Sequence, residues 1–417
     1  MQEIFLSLKF AFKSLTANFG RTMLTLSGII IGTIVIIMVV TLGDVVKGYV
    51  LGQVDTFGSD VIQVEVKIPS ASKNSTQNAT SLASGVQITT LKQSDGEAIQ
   101  KLPNVVAWYA ASIGQELVTY QEINKRVMLF GATSGVAAID KNLKLTEGSF
   151  YTDSQEKGLA QVAVLGSGVK KSLFGDMPAV GKTIKMKSQT YRVIGVLAER
   201  GSTGFISFDD FMYVPLLTLQ KKVLGIDHAQ FITVKIQDVS KAPQTALDIE
   251  ALLRTRHDIT KVGQDDFAVT TIKEAQETVQ TVFGAIQILL LMLASISLVV
   301  GGVGIMNVMF VAVAERTGEI GLRKALGARA KDVLWQFLVE ALIVALTGGI
   351  IGIVIAEALL FGIFAILPSF GLTLAFQFSL QTVLMAMAFS LLSGLIFGVY
   401  PAWRASQINP IQAIRQG

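Results

Sequence analysis

Residues 278–314 read TVQTVFGAIQILLLMLASISLVVGGVGIMNVMFVAVA, an uncharged run of 37 positions between Glu277 and Glu315. A helix needs about 20 apolar residues to cross a hydrocarbon core of roughly 30 Å. This stretch is therefore a membrane span with residues to spare; fully helical, it would extend about 55 Å. Two readings stay open: one helix continues outward into a soluble domain, or a membrane helix follows an amphipathic segment packed on that domain. Directly after it comes ERTGEIGLRKALGARAK, residues 315–331, with the cations Arg316, Arg323, Lys324, Arg329 and Lys331. Cations clustered in a short loop at the end of an apolar run mark the cytoplasmic face.

Working outward, Thr22 to Gly43 is uncharged between Arg21 and Asp44. A third apolar run follows Asp332 to about Phe364, interrupted by Glu340 and Glu357. The fourth ends before Arg404, set off by the turn signal Leu367-Pro368-Ser369-Phe370-Gly371. These segments give TM1 at 22–43, TM2 at 278–314 with an outward extension, TM3 at 333–364 and TM4 at 378–403. Every cation outside residues 44–277 falls on one side: Lys9, Lys13 and Arg21, the five of the 315–332 loop, and Arg404 and Arg415 of the 404–417 tail. Both termini are thus expected in the cytoplasm and residues 44–277 outside, in a multi-pass membrane protein. Within residues 1–21, Phe5, Leu8, Phe12, Leu15 and Phe19 recur at helical steps beside Lys9 and Lys13, which suits an interfacial amphipathic helix and an uncleaved anchor.

Residues 44–277 balance 25 Lys and Arg against 25 Asp and Glu, so the whole net charge of +4 lies outside them. That excess sits at membrane edges, which argues against a nucleic-acid partner. The absence of cysteine removes thiolate chemistry, and two histidines, His228 and His257, are too few for a His-based metal site or a Ser-His-Asp triad. They read as surface or core residues. Asp209-Asp210 and Asp265-Asp266 read as solvated turn carboxylates, so no catalytic or metal residues are assigned.

In the outer segment, Phe57 to Val66 reads as a strand, Thr90 to Leu102 as a helix stopped by Pro103-Asn104, and Val105 to Ala110 as a strand. A second β-α-β unit follows in Gln230 to Gln237, Ala242 to Arg254 and Phe267 to Thr271. Between them QVAVLG, KTIKMK and TYRVIGVL mark a β-rich insertion. The expected class is a membrane α-helical protein with four transmembrane helices and an α+β extracytoplasmic domain. Its two β-α-β halves fall at about 44–113 and 215–277, with the β-rich insertion at about 114–214. Residues 69–86 are Ser-, Asn- and Thr-rich and read as a loop. Val180-Gly181-Lys182-Thr183 ends like a phosphate-binding loop, but the earlier glycine is misplaced by one, at Gly175, and the following residues alternate like a hairpin. No nucleotide-binding motif is present, and the chain is read as a non-enzyme.

Within the inner loop, Glu319 to Ala325 has the spacing of a short helix, with Ile320 and Leu322 apolar, Leu326 just beyond, and Glu319/Arg323 at i,i+4. Gly327 is placed to cap it. Such a helix suits docking in a partner's groove; a plain positive-inside anchor would look similar. Glu340 near the inner interface and Glu357 near the outer one are the intramembrane candidates, for function or for pairing within the bundle. Gly28/Gly32, Gly301/Gly302/Gly304 and Gly348/Gly349/Gly352 allow close helix contact, including dimerisation.

The EIGLRKALGA stretch resembles the signature of the MacB/FtsX superfamily of ABC-transporter permeases. RTMLTLSGIIIG, GSDVIQV, LPNV, VAVLGSGV, LFG, VGKTI, YRVIGVL, GGVGIMNVM and YPAWRAS…NPIQAIR resemble the MacB branch, in order. The resemblance implies that Glu319, Ile320, Gly321, Leu322, Arg323, Lys324, Ala325, Leu326 and Gly327 form a coupling helix seated on an ABC ATP-binding subunit. ATP and Mg would be that partner's cofactors, with none on this chain. It further implies a homodimer in the lipid of a bacterial cell membrane, an outer domain with porter-like and inserted subdomains, a membrane-fusion-type adaptor, and export of peptides, antibiotics or other amphiphiles driven by motion passed to the outer domain. Gram-negative MacB carries its ATPase on the same chain. This sequence begins at the membrane, so the resemblance implies a separate ATPase subunit, as in split systems common in Gram-positive bacteria. The alternative is an FtsX-like mechanotransmitter regulating an extracellular cell-wall hydrolase.

Overall fold

The computed structural model describes residues 19–55, 58–69, 88–203, 206–261, 263–370, 376 and 378–416. Residues 1–18 of the expected interfacial helix and 70–86 of the expected loop lie outside them. The chain divides into two compact units, one formed by residues up to 50 and from 279 onward, the other by 51–278.

The helices are α1 (Phe19–Asp55), α2 (Gln93–Ile99), α3 (Val136–Ile139), α4 (Asp153–Lys157), α5 (Ser167–Phe174), α6 (Leu216–Thr218), α7 (Ala242–Arg256), α8 (Ile272–Glu315), α9 (Thr317–Ala325), α10 (Ala330–Ile366), α11 (Leu380–Ser406) and α12 (Pro410–Gln416). Four of them, α1, α8, α10 and α11, are long and apolar enough to cross a membrane. The 37-residue uncharged run is one uninterrupted helix with six further residues before it and one after, 44 residues in all. At 1.5 Å per residue that rod is about 66 Å long.

Lipid tails give helices no hydrophobic reason to associate, so close backbone approach and interhelical hydrogen bonds hold the bundle. A Cβ on Gly28 would lie 2.5 Å from Gly301 Cα, so α1 and α8 touch backbone to backbone there. Gly352 of α10 seats against Thr33 of α1, and Gly394 of α11 against Ala345 of α10. Ser390 Oγ donates to Ala345 O at 2.7 Å across the α10–α11 contact. Gly28, Gly301 and Gly352 are thus used in contacts within one chain.

The second unit is built on a sheet of ten strands: β1 (Val61–Val66), β2 (Val105–Tyr120), β3 (Ile123–Ala132), β4 (Leu145–Gly148), β5 (Val162–Leu165), β6 (Thr183–Met186), β7 (Gln189–Leu197), β10 (Phe211–Pro215), β11 (Phe231–Ile236) and β12 (Phe267–Thr271). A separate ribbon pairs β8 (Ser202–Thr203) with β9 (Ile206–Ser207). The order is β12-β1-β11-β2-β3-β10-β5-β7-β4, with β6 against β2 and β7. The first four strands interleave the two β-α-β units, β1-α2-β2 and β11-α7-β12, into the antiparallel order of a ferredoxin-like split βαβ. Alternation explains the layer: Ile62, Val64, Ile232 and Val234 point to one core with Ile99, Ile249 and Leu253 of α2 and α7. A second core gathers Leu129, Leu165, Leu173, Phe174, Ile184, Tyr191 and Met212 beneath the insertion.

Three findings depart from the sequence reading. The second strand does not stop near Ala110 but runs to Tyr120, pairing with β3 over Ala111 to Tyr120, so the insertion continues the same sheet. Gly114, Gln115 and Glu116 interrupt the apolar alternation, and the cross-strand ladder overrides them. Asp265 and Asp266 are not solvated: their side chains are 13% and 14% exposed and engage Arg254 and His257. Asp209 accepts the backbone N–H groups of Arg200 and Gly201, both at 2.8 Å, and half-exposed Asp210 pairs with Lys125 at 3.0 Å. The residues after Gly181 form the β6–β7 hairpin, as their alternation indicates.

Candidate functional site

Between α8 and α10 the chain makes one short helix with two unlike faces. Helix α8 ends at Glu315; Arg316 leaves helical geometry, and α9 runs from Thr317 to Ala325. Gly327 adopts φ +103°, where side chains are strained, and the Ala328 N–H returns to Arg323 O at 3.1 Å. This is the left-handed stop expected of a glycine just past a helix. Two residues on, the Arg329 N–H donates to Asp332 Oδ2 at 3.0 Å and opens α10.

The inner face of α9 is fixed to the bundle unit. Ile320 is buried, and a Cβ on Gly321 would lie 2.5 Å from the Ala413 Cβ of α12, so only glycine allows that approach. Lys324 Nζ donates to Ser406 O and Ile408 O, both at 2.8 Å, closing carbonyls at the end of α11. Arg323 Nη1 donates to Gln336 Oε1 at 3.1 Å while its Nη2 lies 3.6 Å from Glu319 Oε2. Arg316 Nη1 approaches Glu340 Oε2 at 3.3 Å, joining the start of the loop to α10.

The outer face carries Glu319, Leu322, Ala325, Leu326 and Gly327, all exposed. Leu322 is 56% exposed and Leu326 81%. Two leucines one turn apart, held open on a helix anchored from behind, make a surface that loses water favourably on docking. Of the nine sequence-predicted residues, five face outward and four (Ile320, Gly321, Arg323, Lys324) turn toward α10, α11 and α12. Glu340 is buried against Arg316. Glu357 is half-buried in α10, with no hydrogen bond or ion pair to another described residue.

A second cluster, in the sheet unit, escaped the sequence reading. His257 Nδ1 lies 2.9 Å from Asp266 Oδ1, and its Nε2 3.4 Å from Asp95 Oδ2; Arg256 Nε donates to Asp95 Oδ1 at 2.7 Å. Hydrogen bonds to Asp266 and Asp95 push the imidazole up to about 9 despite its burial. Burial works against ionisation of both carboxylates, yet the bonds from His257, and from Arg256 at Asp95, keep them below their usual range. The cluster ties α2, the end of α7 and the start of β12 together. Asp95 and His257 stand 162 residues apart, so no local pattern announces them.

Residues 22–252 match the MacB-like periplasmic core domain family, and residues 291–410 the FtsX-like permease C-terminal family. The macrolide export ATP-binding/permease protein MacB of Wolinella succinogenes is 35% identical over 413 residues, covering 99% of this chain and 61% of that protein. The pyoverdine export ATP-binding/permease protein PvdT of Pseudomonas syringae pv. tomato is 32% identical over 416 residues, 99% and 60% respectively. The chain spans about three fifths of the length of the curated relatives it matches. Among solved structures, the periplasmic region of MacB from Actinobacillus actinomycetemcomitans aligns with 21% identity and a TM-score of 0.46, over 54% of this chain and 95% of that one. The extracellular domain of the ABC-type transporter YknZ aligns with 21% identity and a TM-score of 0.40, over 50% and 99%.

Proposed function

The chain belongs to the MacB-like permeases, joining their periplasmic core domain to an FtsX-like permease region, and from that premise we propose that it is the permease of an ABC efflux system. In this reading α9 is the surface on which an ATP-binding subunit sits. ATP and Mg bind that partner, and its movement is passed through the membrane helices to the extracytoplasmic domain. The cargo class is peptides, antibiotics or other amphiphiles; two relatives are named for macrolide and pyoverdine export. A second copy of the chain and a membrane-fusion-type adaptor complete the assembly.

The observation that supports this best is the two-faced α9. Lys324, Gly321 and Ile320 fasten it to α11, α12 and the bundle core, while Leu322 and Leu326 stay open. A helix rigid on its own subunit and apolar toward the cytosol can take a push without sinking into the bundle. Exposed leucines of this kind gain by leaving water when a partner's apolar groove closes over them.

Co-expression with the cognate ATP-binding subunit tests it. Leu326→Asp should reduce co-purification of the ATPase at least tenfold, with Leu322→Asp close behind, while the permease still accumulates in the membrane. Glu319→Gln, at the rim, should cost less. Full complex formation by the Leu322→Asp/Leu326→Asp double variant would remove α9 as the docking surface. Should the complex form and cell separation, rather than tolerance to macrolides or peptides, change on deletion, the export role would give way to control of a cell-wall hydrolase.

A further inference from the structure

The outer parts of α1 and α8 leave an apolar groove of about 310 Å3, at the small end of the roughly 300–1,000 Å3 range of small-molecule sites. Met38 and Leu42 of α1 and Phe283 and Leu290 of α8 supply its apolar walls; Lys47 and Gln287 are its polar members. Counting 1.5 Å per residue from Arg21, Met38 lies about 26 Å along α1 and Lys47 about 39 Å. With a hydrocarbon core of roughly 30 Å, the groove runs from the outer end of the hydrocarbon into the headgroup layer.

Lys47 is half-buried, and among the described residues it has no ion-pair or hydrogen-bond partner. Asp44, one turn earlier, is exposed and makes no ion pair with it. A cation set among apolar side chains without a counter-charge is costly, so the groove favours a ligand that brings a negative group to Lys47 and an aliphatic body to Met38, Leu42 and Leu290. Attraction between basic side chains near a bilayer surface and anionic headgroups is the general form of this contact.

We propose that the groove is a binding site for one anionic phospholipid of the outer leaflet. Its phosphate lies at Lys47, Gln287 donates to a headgroup oxygen, and an acyl chain follows α1 inward past Leu42 and Met38. The inference rests on the groove and the unpaired Lys47, and is independent of what the protein exports.

The test is native mass spectrometry of the purified full chain in nonionic detergent, titrated with phosphatidylglycerol and phosphatidylcholine of equal chain length. Phosphatidylglycerol should be retained at least fivefold better. Lys47→Gln should bring it down to the phosphatidylcholine level, and Lys47→Arg should keep the preference, which separates lost charge from lost folding. Gly43 also lines the groove, and a Cβ there meets nothing within 4 Å; Gly43→Phe should fill the space and reduce retention of both lipids. Equal retention of the two lipids by the unsubstituted chain, or a preference that survives Lys47→Gln, would overturn the proposal. So would efficient disulfide cross-linking of Gly43→Cys to its counterpart in native membranes, because a second copy would then cover the groove.

Discussion

Glu156, in α4, is almost fully buried: Oε2 accepts the Ser134 N–H at 2.7 Å, while Oε1 is buried with no hydrogen-bond partner. Burial pushes its carboxyl up to about 7; the Ser134 bond opposes this, nearby Asp153 adds to it, and Lys157, itself paired with Asp153, offsets little. Between an unfolded value near 4.5 and the folded value near 7, the folded chain binds the extra proton, so stability falls as pH rises through that window. His257 acts higher. Its folded value near 9 exceeds the ordinary 6.5, so its contribution is complete below pH 6.5 and lost as pH rises through 9. Asp95 and Asp266, held low, withdraw their support only in acid, as pH falls through their folded values below 3.8. Thermal melts of the purified chain should therefore show greatest stability near pH 4.5 and a decline toward pH 9. Glu156→Gln should flatten the part between pH 4.5 and 7 and stabilise the protein at pH 8 by on the order of 2 kcal/mol. It should leave the decline above pH 7 intact. An unchanged slope below pH 7 in Glu156→Gln would mean that the carboxyl titrates normally.

Among single elements, the β6–β7 hairpin turns on Lys187 and Ser188, with φ +46° and +62°. Two left-handed residues in a two-residue loop match the twist of the strands, a geometry usually given to Asn-Gly. Lys187 is held there by donation to Val223 O at 2.7 Å and by Glu116 at 3.0 Å. Among the described residues none holds Ser188 in the same way, so Ser188→Gly should stabilise the protein by about 1 kcal/mol, read as a rise in melting midpoint; a fall would show that the hydroxyl matters. This hairpin also shows what a sequence makes legible. Alternation in KTIKMK and TYRVIGVL identifies both strands, and the same signal finds β1, β11 and β12. The interleaving of β11 between β1 and β2 is not visible, because it depends on pairings between residues more than a hundred positions apart. The candidate site divides the same way. Helix α9 and its glycine stop are local and readable, whereas the inward turn of Lys324 depends on carbonyls 82 and 84 residues further on.

At the scale of the whole molecule, uneven charge and one long helix mark a chain built to span a membrane. The short segments put their cations on a single face, and α8 runs unbroken for 44 residues, about twice what a bilayer core requires. An interrupted span would absorb a push at α9 as local bending, since kinks localise where the ladder of hydrogen bonds is broken; an unbroken one moves as a rod. The orientation itself can be read directly, because the chain has no cysteine and any introduced thiol is the sole target. Ile123→Cys, at the exposed tip of the β2–β3 hairpin, should react with a membrane-impermeant maleimide in intact spheroplasts. Leu326→Cys, 81% exposed beyond α9, should react only after the membrane is opened. Labelling of both from outside, or of Leu326→Cys alone, would reverse the topology that the positive loops dictate. It would also place α9 beyond reach of cytosolic ATP, and the proposed docking of an ATPase would fall with it.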